Sequence, residues 1–231
     1  MPSNYAIIVA GGNGTRVGNG TPKQFMLLAG APLLMHTIRK FHQCRTRPAI
    51  LVALPASQQA NWRDLCTSWS FDVPHTTCDG GATRFQSVKN SLKWIEENAP
   101  DVEHIAVHAA ARPLVSPQLI DAMFEAATHH GAAVPAVRSI DSVRLVDPQT
   151  GTNRAFPRTD VYLVQTPQAF RAATIIDAYA SAEQPWFTDD ASVVEAKKIP
   201  IKIIDWEYNN IKVTFPADFE TAEFILSKND G

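Results

Sequence analysis

Short, nearly continuous apolar runs recur along the chain and alternate with longer stretches whose apolar positions return about every three to four residues. Tyr5–Ala10, Ala49–Leu54, His104–His108, Ala132–Val137, Val161–Val164 and Ile199–Ile204 have the length and composition of strands buried on both faces. Between them the pattern predicts helices. Leu33–Gln43 places Leu34, Ile38 and Phe41 on one face, and Phe85–Asn98 does the same with Val88, Leu92 and Ile95. Pro117–His130 follows Ser116, a residue suited to cap a first turn with proline just inside it, and stops before Gly131. Asp218–Lys228 is expected as the closing helix. This alternation predicts an α/β fold: a mostly parallel twisted sheet with helices on both faces. In such sheets ligands bind beyond the carboxyl ends of the strands, so the loops that follow strands are where chemistry is expected.

One region breaks the alternation. Arg138–Asp160 is polar, with Asp147-Pro148-Gln149-Thr150-Gly151 as a turn signal between two short β-prone pieces. It is expected as a β-hairpin arm (138–160) inserted into one domain spanning residues 1–231. No internal repeat or low-complexity tract interrupts the pattern.

Composition narrows the class. At 231 residues, 45% hydrophobic and 19% charged, the chain can bury a large core and is unlike collagen, coiled coils or disordered proteins. Lys and Arg number 21 against 23 Asp and Glu, a net charge of −2, so the overall basic character suited to nucleic-acid binding is absent. The cysteines, Cys44, Cys66 and Cys78, are odd in number and lack CxxC spacing, which argues against a disulfide framework or a zinc site. His36, His42, His75, His104, His129 and His130 show no metal-ligand spacing, and Trp62, Trp69 and Trp94 read as packing residues. No apolar stretch approaches the roughly 20 residues that span a bilayer, and the residues leading into the first strand show no basic region or long apolar run of the kind a secretory leader carries. The expected location is the cytoplasm.

The first strand runs into Ala10-Gly11-Gly12-Asn13-Gly14-Thr15-Arg16, followed by Pro22-Lys23-Gln24-Phe25. Glycines let a backbone turn sharply and bring N–H groups against phosphate oxygens. No Gly-Lys-Ser/Thr closes a P-loop, and Val17 stands where a dinucleotide fingerprint needs its third glycine. The loop adds two cations, Arg16 able to fork onto phosphate oxygens and Lys23 a compact point charge. On pattern alone, a phosphate cradle and a glycine-rich turn with two solvated charges both remain open.

Gly-Gly-x-Gly-Thr-Arg followed by Pro-Lys resembles the nucleotide-binding loop of sugar-phosphate nucleotidyltransferases. Later segments narrow the resemblance to the 2-C-methyl-D-erythritol 4-phosphate cytidylyltransferase family of non-mevalonate isoprenoid synthesis. They are Gly80–Val88, His108-Ala109-Ala110-Ala111-Arg112-Pro113, Gln165-Thr166-Pro167-Gln168, Thr188–Glu195 and Asn210–Thr214, in family order across nearly the whole chain. The resemblance implies a Rossmann-like nucleotidyltransferase fold. It also implies attack of a methylerythritol phosphate on the α-phosphorus of CTP with departure of pyrophosphate. A phosphate monoester is already largely ionised near neutral pH, its second pKa being about 6, so no general base is needed and the lack of a Ser/His/Asp triad is expected.

By the same resemblance, Ala10, Gly11, Gly12 and Gly14 belong to the nucleotide loop, while Arg16 and Lys23 stabilise the transition state on the triphosphate. Gly81, Arg84 and Ser87 match the cytosine-recognition segment, with Arg84 equally readable as a structural brace. Arg158 and Lys212 match the pair that fixes the acceptor phosphate, and Asp141-Ser142 matches a nearby Asp-Thr pair. Arg158's counterpart serves the neighbouring subunit, so the arm implies a homodimer. A divalent cation, Mg2+, is expected with CTP, but Ala109 stands where the family usually carries a metal-holding Asp, and Asn209 is neutral where some members carry an acid. Asp189 and Asp190 are candidate substitutes, or else caps of a helix starting near Ala191. The competing readings are a cytidylyltransferase for another polyol phosphate such as ribitol 5-phosphate, and a nucleotide-binding protein with impaired catalysis. Neither nucleic acid nor a membrane is expected as a partner.

Overall fold

The computed structural model describes residues 3–11 and 21–229. In chain order the strands are β1 (Asn4–Val9), β2 (Leu27–Leu28), β3 (Ala31–Pro32), β4 (Ala49–Leu54), β5 (Thr76–Asp79), β6 (His104–Ala109), β7 (Ala132–Arg138), β8 (Val143–Val146), β9 (Asn153–Phe156), β10 (Tyr162–Val164), β11 (Gln168–Arg171) and β12 (Lys202–Asp205). The helices are α1 (Leu33–Gln43), α2 (Ala56–Ser68), α3 (Arg84–Asn98), α4 (Pro117–His130), α5 (Ala172–Tyr179), α6 (Asp190–Glu195) and α7 (Pro216–Asn229).

β1 lies at the centre of the main sheet, parallel to β4 on one edge and β6 on the other, and β5 extends the sheet beyond β4. β11 runs antiparallel between β6 and β7, and β12 pairs parallel with β7. The sheet is therefore mostly parallel with an antiparallel insertion. β10 and β11 lie on the same edge of β7, because β12 takes the other edge at both Ala133 and Ala136. From Val164 to Ala169 this strand advances five residues while β7 advances three, from Ala136 to Ala133. Gln165 N–H still donates to Pro135 O at 2.8 Å, and the chain then bulges out of the ladder through the cis Thr166–Pro167 peptide.

Period-two alternation divides the core. Ala6, Ile8, Ile50 and Val52 face one side of the sheet, where Leu34, Ile38 and Phe41 of α1 and Leu119, Ile120 and Met123 of α4 cover them. Ile7, Leu51, Ile105 and Val107 face the other, against Val88, Leu92 and Ile95 of α3 and Ile175 of α5. Helix ends follow local chemistry: Ser116 Oγ accepts from the Leu119 N–H, and Gly131 ends α4 at φ +84°. Asp189 caps α6 in a capping box with Ser192, so α6 begins at Asp190.

Two apolar runs expected as fully buried strands differ. β10 carries Leu163 at 53% exposure, and β12 leaves Ile203 at 41%, because neither is covered on its outer side. α2, β5, β11 and α5 are absent from the periodicity reading. α2 buries only Trp62, and β5 is the polar run Thr-Thr-Cys-Asp.

The arm forms as a separate two-stranded ribbon, β8 against β9, in register from Val143↔Phe156 to Val146↔Asn153. Its tip is an Asx turn: Asp147 Oδ1 accepts from the Gln149 N–H at 2.8 Å, and Gly151 sits at φ +69°. The Gln149 and Thr150 N–H groups hold the Asp147 carboxyl below its ordinary range.

Candidate active site

A cavity of about 400 Å³ opens at the carboxyl ends of β1 and β6. Ala10 and Gly11 follow β1, and Gly81, Arg84 and Ser87 come from the loop into α3. Lys23 lies on a short 3-10 turn, Ala109 ends β6, and Lys212 comes from the segment before α7. Sequence reading thus places seven of its site residues in one chamber: Ala10, Gly11, Lys23, Gly81, Arg84, Ser87 and Lys212. Gly12, Gly14 and Arg16 lie outside the described residues. Asp141, Ser142 and Arg158 do not line this cavity; they are exposed on the arm, where Arg158 Nη1 donates to the Ile140 carbonyl at 2.8 Å.

The loop between β5 and α3 is shaped by its own residues. Gly80 N–H donates to Leu54 O at 2.7 Å, and Thr83 caps α3 by accepting from Gln86 N–H. Ser87 Oγ accepts from Gly81 N–H at 3.0 Å and donates to Thr83 O at 2.9 Å, which folds the loop back on the helix. A Cβ on Gly81 would sit 2.3 Å from Gln86 Cβ, so this position requires glycine. The same serine oxygen lies 3.5 Å from where a Cβ on Gly11 would be, which brings the β1 and β5 loops together.

Arg84 forks onto Asp190, with Nη1 to Oδ1 at 2.8 Å and Nη2 to Oδ2 at 2.5 Å, and Tyr179 donates its hydroxyl to Oδ1 at 2.6 Å. Asp190 is fully buried. Burial alone would lower the Arg84 guanidinium, but the Asp190 charge and hydrogen bonds outweigh it and hold it above its ordinary value. Burial and the same carboxylate raise the Tyr179 phenol, which stays a donor. Of the two readings left open for Arg84, the brace is the one its guanidinium performs, although its side chain also borders the cavity.

The opposite wall is tied to β6. Lys23 Nζ donates to Val213 O at 2.7 Å, which sets its charge beside the Lys212 segment. Val213 N–H donates to Ala111 O at 2.8 Å, and Arg112 Nη1 donates to Asn210 O. Burial pushes Arg112 down to about 10. Ala109 N–H donates to Thr166 Oγ1 at 3.1 Å, leaving the threonine proton for His108 Nδ1 at 3.0 Å, so His108 donates from Nε2 to Arg112 O at 3.1 Å. Arg112 O can only accept, so Nε2 is the donor there, and complete burial pushes the imidazole down to about 3.

The donor set does not suit a protein-held magnesium ion. Among the described residues lining the cavity none is a carboxylate, Ala109 offers only a methyl group, and no group of three His, Cys, Asp or Glu could hold a metal. Asp189 and Asp190 are committed to capping and to Arg84, and neither lines the chamber.

A nucleotide-sized cavity with paired lysines, at the carboxyl ends of parallel strands in an α/β sheet, defines a nucleotidyltransferase-type site. The family model described as 2-C-methyl-D-erythritol 4-phosphate cytidylyltransferase matches residues 5–228. A relative of that name from Azobacteroides pseudotrichonymphae is 43% identical, over 98% of this chain and all of the relative. One from Bacteroides fragilis is 40% identical over 96% of this chain and 98% of its own. The crystal structure of 4-diphosphocytidyl-2C-methyl-D-erythritol synthase from Anaerococcus prevotii superposes with a TM-score of 0.82 at 26% identity, covering 97% of this chain and 96% of that one. The chain belongs to the 2-C-methyl-D-erythritol 4-phosphate cytidylyltransferase family.

Gly81→Ala is expected to weaken CTP binding at least tenfold in calorimetry, because the loop must open to admit the methyl group. For His108, the folded pKa of about 3 lies below the unfolded 6.5, so its contribution is complete above pH 6.5 and is lost as pH falls toward 3. Urea midpoints at pH 7 and pH 5 should therefore differ less in His108→Asn than in the parent chain.

Proposed function

We propose that this chain transfers the cytidylyl group of CTP to 2-C-methyl-D-erythritol 4-phosphate, a step of non-mevalonate isoprenoid synthesis. A phosphate oxygen of the acceptor attacks the α-phosphorus, the bond to the β-phosphate oxygen breaks, and pyrophosphate leaves with that electron pair. The carrying observation is that Lys23 and Lys212, 189 positions apart, border one cavity with the Gly81–Ser87 loop, Lys23 being anchored at Val213. Two anions must meet for the reaction to occur, and cations on both sides reduce their repulsion and stabilise charge in the transition state. In this reading Lys23 and Arg16 act on the triphosphate, while Ala10, Gly11, Gly12 and Gly14 cradle it. Gly81 and Ser87 shape the base pocket, and Lys212 takes the acceptor phosphate.

Arg158, Asp141 and Ser142 are assigned to the acceptor site of a second copy. The protein then works in the cytoplasm as a homodimer of single nucleotidyltransferase domains (1–231), with the arm (138–160) as the joining element. Support comes from apolar residues left bare on the arm and the adjoining edge: Ile140 at 68% exposure, Val146 at 63% and Leu163 at 53%. A Mg2+ ion arriving with CTP would take its oxygens from the triphosphate and water, and no step is assigned to it.

The direct test is pyrophosphate release with CTP and methylerythritol phosphate across a magnesium titration, for this chain and Ala109→Asp. Release by both is expected, with half-saturation at lower magnesium in the Asp variant. Turnover of ribitol 5-phosphate in preference to methylerythritol phosphate would replace the acceptor. Arg158→Ala and Lys212→Ala homodimers should each lose activity, while mixed dimers of the two recover up to about half the parent rate by restoring one site. Purified mixed dimers without recovery would remove the shared site.

A further inference from the structure

Two of the segments that carry the family resemblance, Gln165–Gln168 and Thr188–Glu195, contribute no lining residue to the cavity, yet they hold the buried polar residues Gln165, Thr166, Gln168 and Asp190. Gln168 is 1% exposed on β11 and spends both ends of its amide. Nε2 donates to Gln165 O at 3.3 Å and to Asp189 Oδ2 at 2.8 Å, and Oε1 accepts from Ala191 N–H at 2.9 Å. Toward the acceptor side, Asn210 Nδ2 donates to Gln165 Oε1 at 2.9 Å and to Thr166 O at 2.8 Å, two residues before Lys212. Thr166 in turn takes the N–H of Ala109 at the end of β6. Toward the nucleotide side, Asp189 and Ala191 flank Asp190, which holds Arg84 at the start of α3. At the bulge Gln165 N–H keeps its bond to Pro135 O, while the Gln165 and Thr166 carbonyls accept from side chains instead of from β7.

We infer that Gln168 is a positioning residue that sets the Lys212 segment against the Arg84–Ser87 loop. This rests on the reaction proposed above. Each loop has local anchors of its own: Ser87 and Thr83 on the nucleotide side, Lys23 and Arg112 on the acceptor side. Among the described residues the Gln168 amide joins the bulge that holds Asn210 to the helix start that holds Arg84. Its work lies in the relative placement of the two substrates, so its loss shows in turnover rather than in CTP binding. Misplacing reactants by about 1 Å costs on the order of 100-fold in rate.

Gln168→Met, which keeps the volume and removes the amide, tests this directly. Calorimetry with CTP gives both affinity and the number of competent sites, and the rate of pyrophosphate release is divided by that number. CTP affinity within about threefold of the parent is expected, because the Arg84–Asp190–Tyr179 set keeps its own bonds, with a per-site kcat at least tenfold lower and a raised acceptor KM. A merely structural role would lower the number of sites or the melting temperature and leave the per-site rate alone. A per-site kcat within twofold of the parent, or CTP affinity falling as far as kcat, overturns the inference. Should Gln168→Met not fold, Gln168→Glu retains the bond from Ala191, loses the two donated ones and carries the same expectations. A parent chain that binds CTP but releases no pyrophosphate would overturn the reaction itself, whereas a normal parent with an unaffected variant overturns only the role of Gln168.

Discussion

The structure depends on β1 being paired in parallel along both edges. With β4 and β6 satisfying its backbone groups and helices covering both faces, the strand has no route to water except at its ends. Parallel pairing also puts the carboxyl ends of β1, β4 and β6 at one rim. The loops that leave them gather there whatever their separation in sequence, and the cavity is the space they leave uncovered. Ala10 N–H to Ala53 O and Ala110 N–H to Val9 O close this ladder, and Val9, Ala10 and Ala110 themselves line the chamber.

On that rim the site is assembled from two half-sites with different logic. The nucleotide side is shaped by small residues and backbone: Gly81 has no room for a side chain, and Ser87 bonds twice to the loop it follows. The opposite wall carries charge, with Lys23 tied to the segment that carries Lys212. Both halves rest on buried polar groups that are nearly all satisfied, as required where an unpaired group costs roughly 1–3 kcal/mol. The neutral, doubly bonded His108 belongs to this support and not to proton transfer.

The absence of a carboxylate from the described lining fits the same division. A site that presents lysines and backbone to two anions works by positioning and charge, and it needs no group with a tuned pKa at the reacting atoms. Of the perturbed groups of the neighbourhood, Tyr179, His108 and Arg112 do not line the cavity, while Arg84 borders it with its guanidinium held by Asp190.

Where periodicity and composition act locally, the sequence was sufficient. The bounds of α1, α4 and β4 follow from apolar spacing, caps and glycine, because each of those signals is settled within one turn or one strand. The loops to search followed from strand order, and seven of the residues named by pattern or by the family resemblance line one cavity. Tertiary structure decided the rest. β11 is invisible to periodicity because its burial comes from lying between β6 and β7, and two runs expected as buried strands are edges because, among the described residues, β10 and β12 pair only with β7. Arg84 carries the same guanidinium in a base pocket or a brace; only the fold brings Asp190 to it from 106 residues away while keeping its side chain at the cavity. The roles of Gln168 and Asn210 belong to the same category. An amide has no charge or period to announce it, and its meaning lies in which distant groups the sheet brings within about 3 Å.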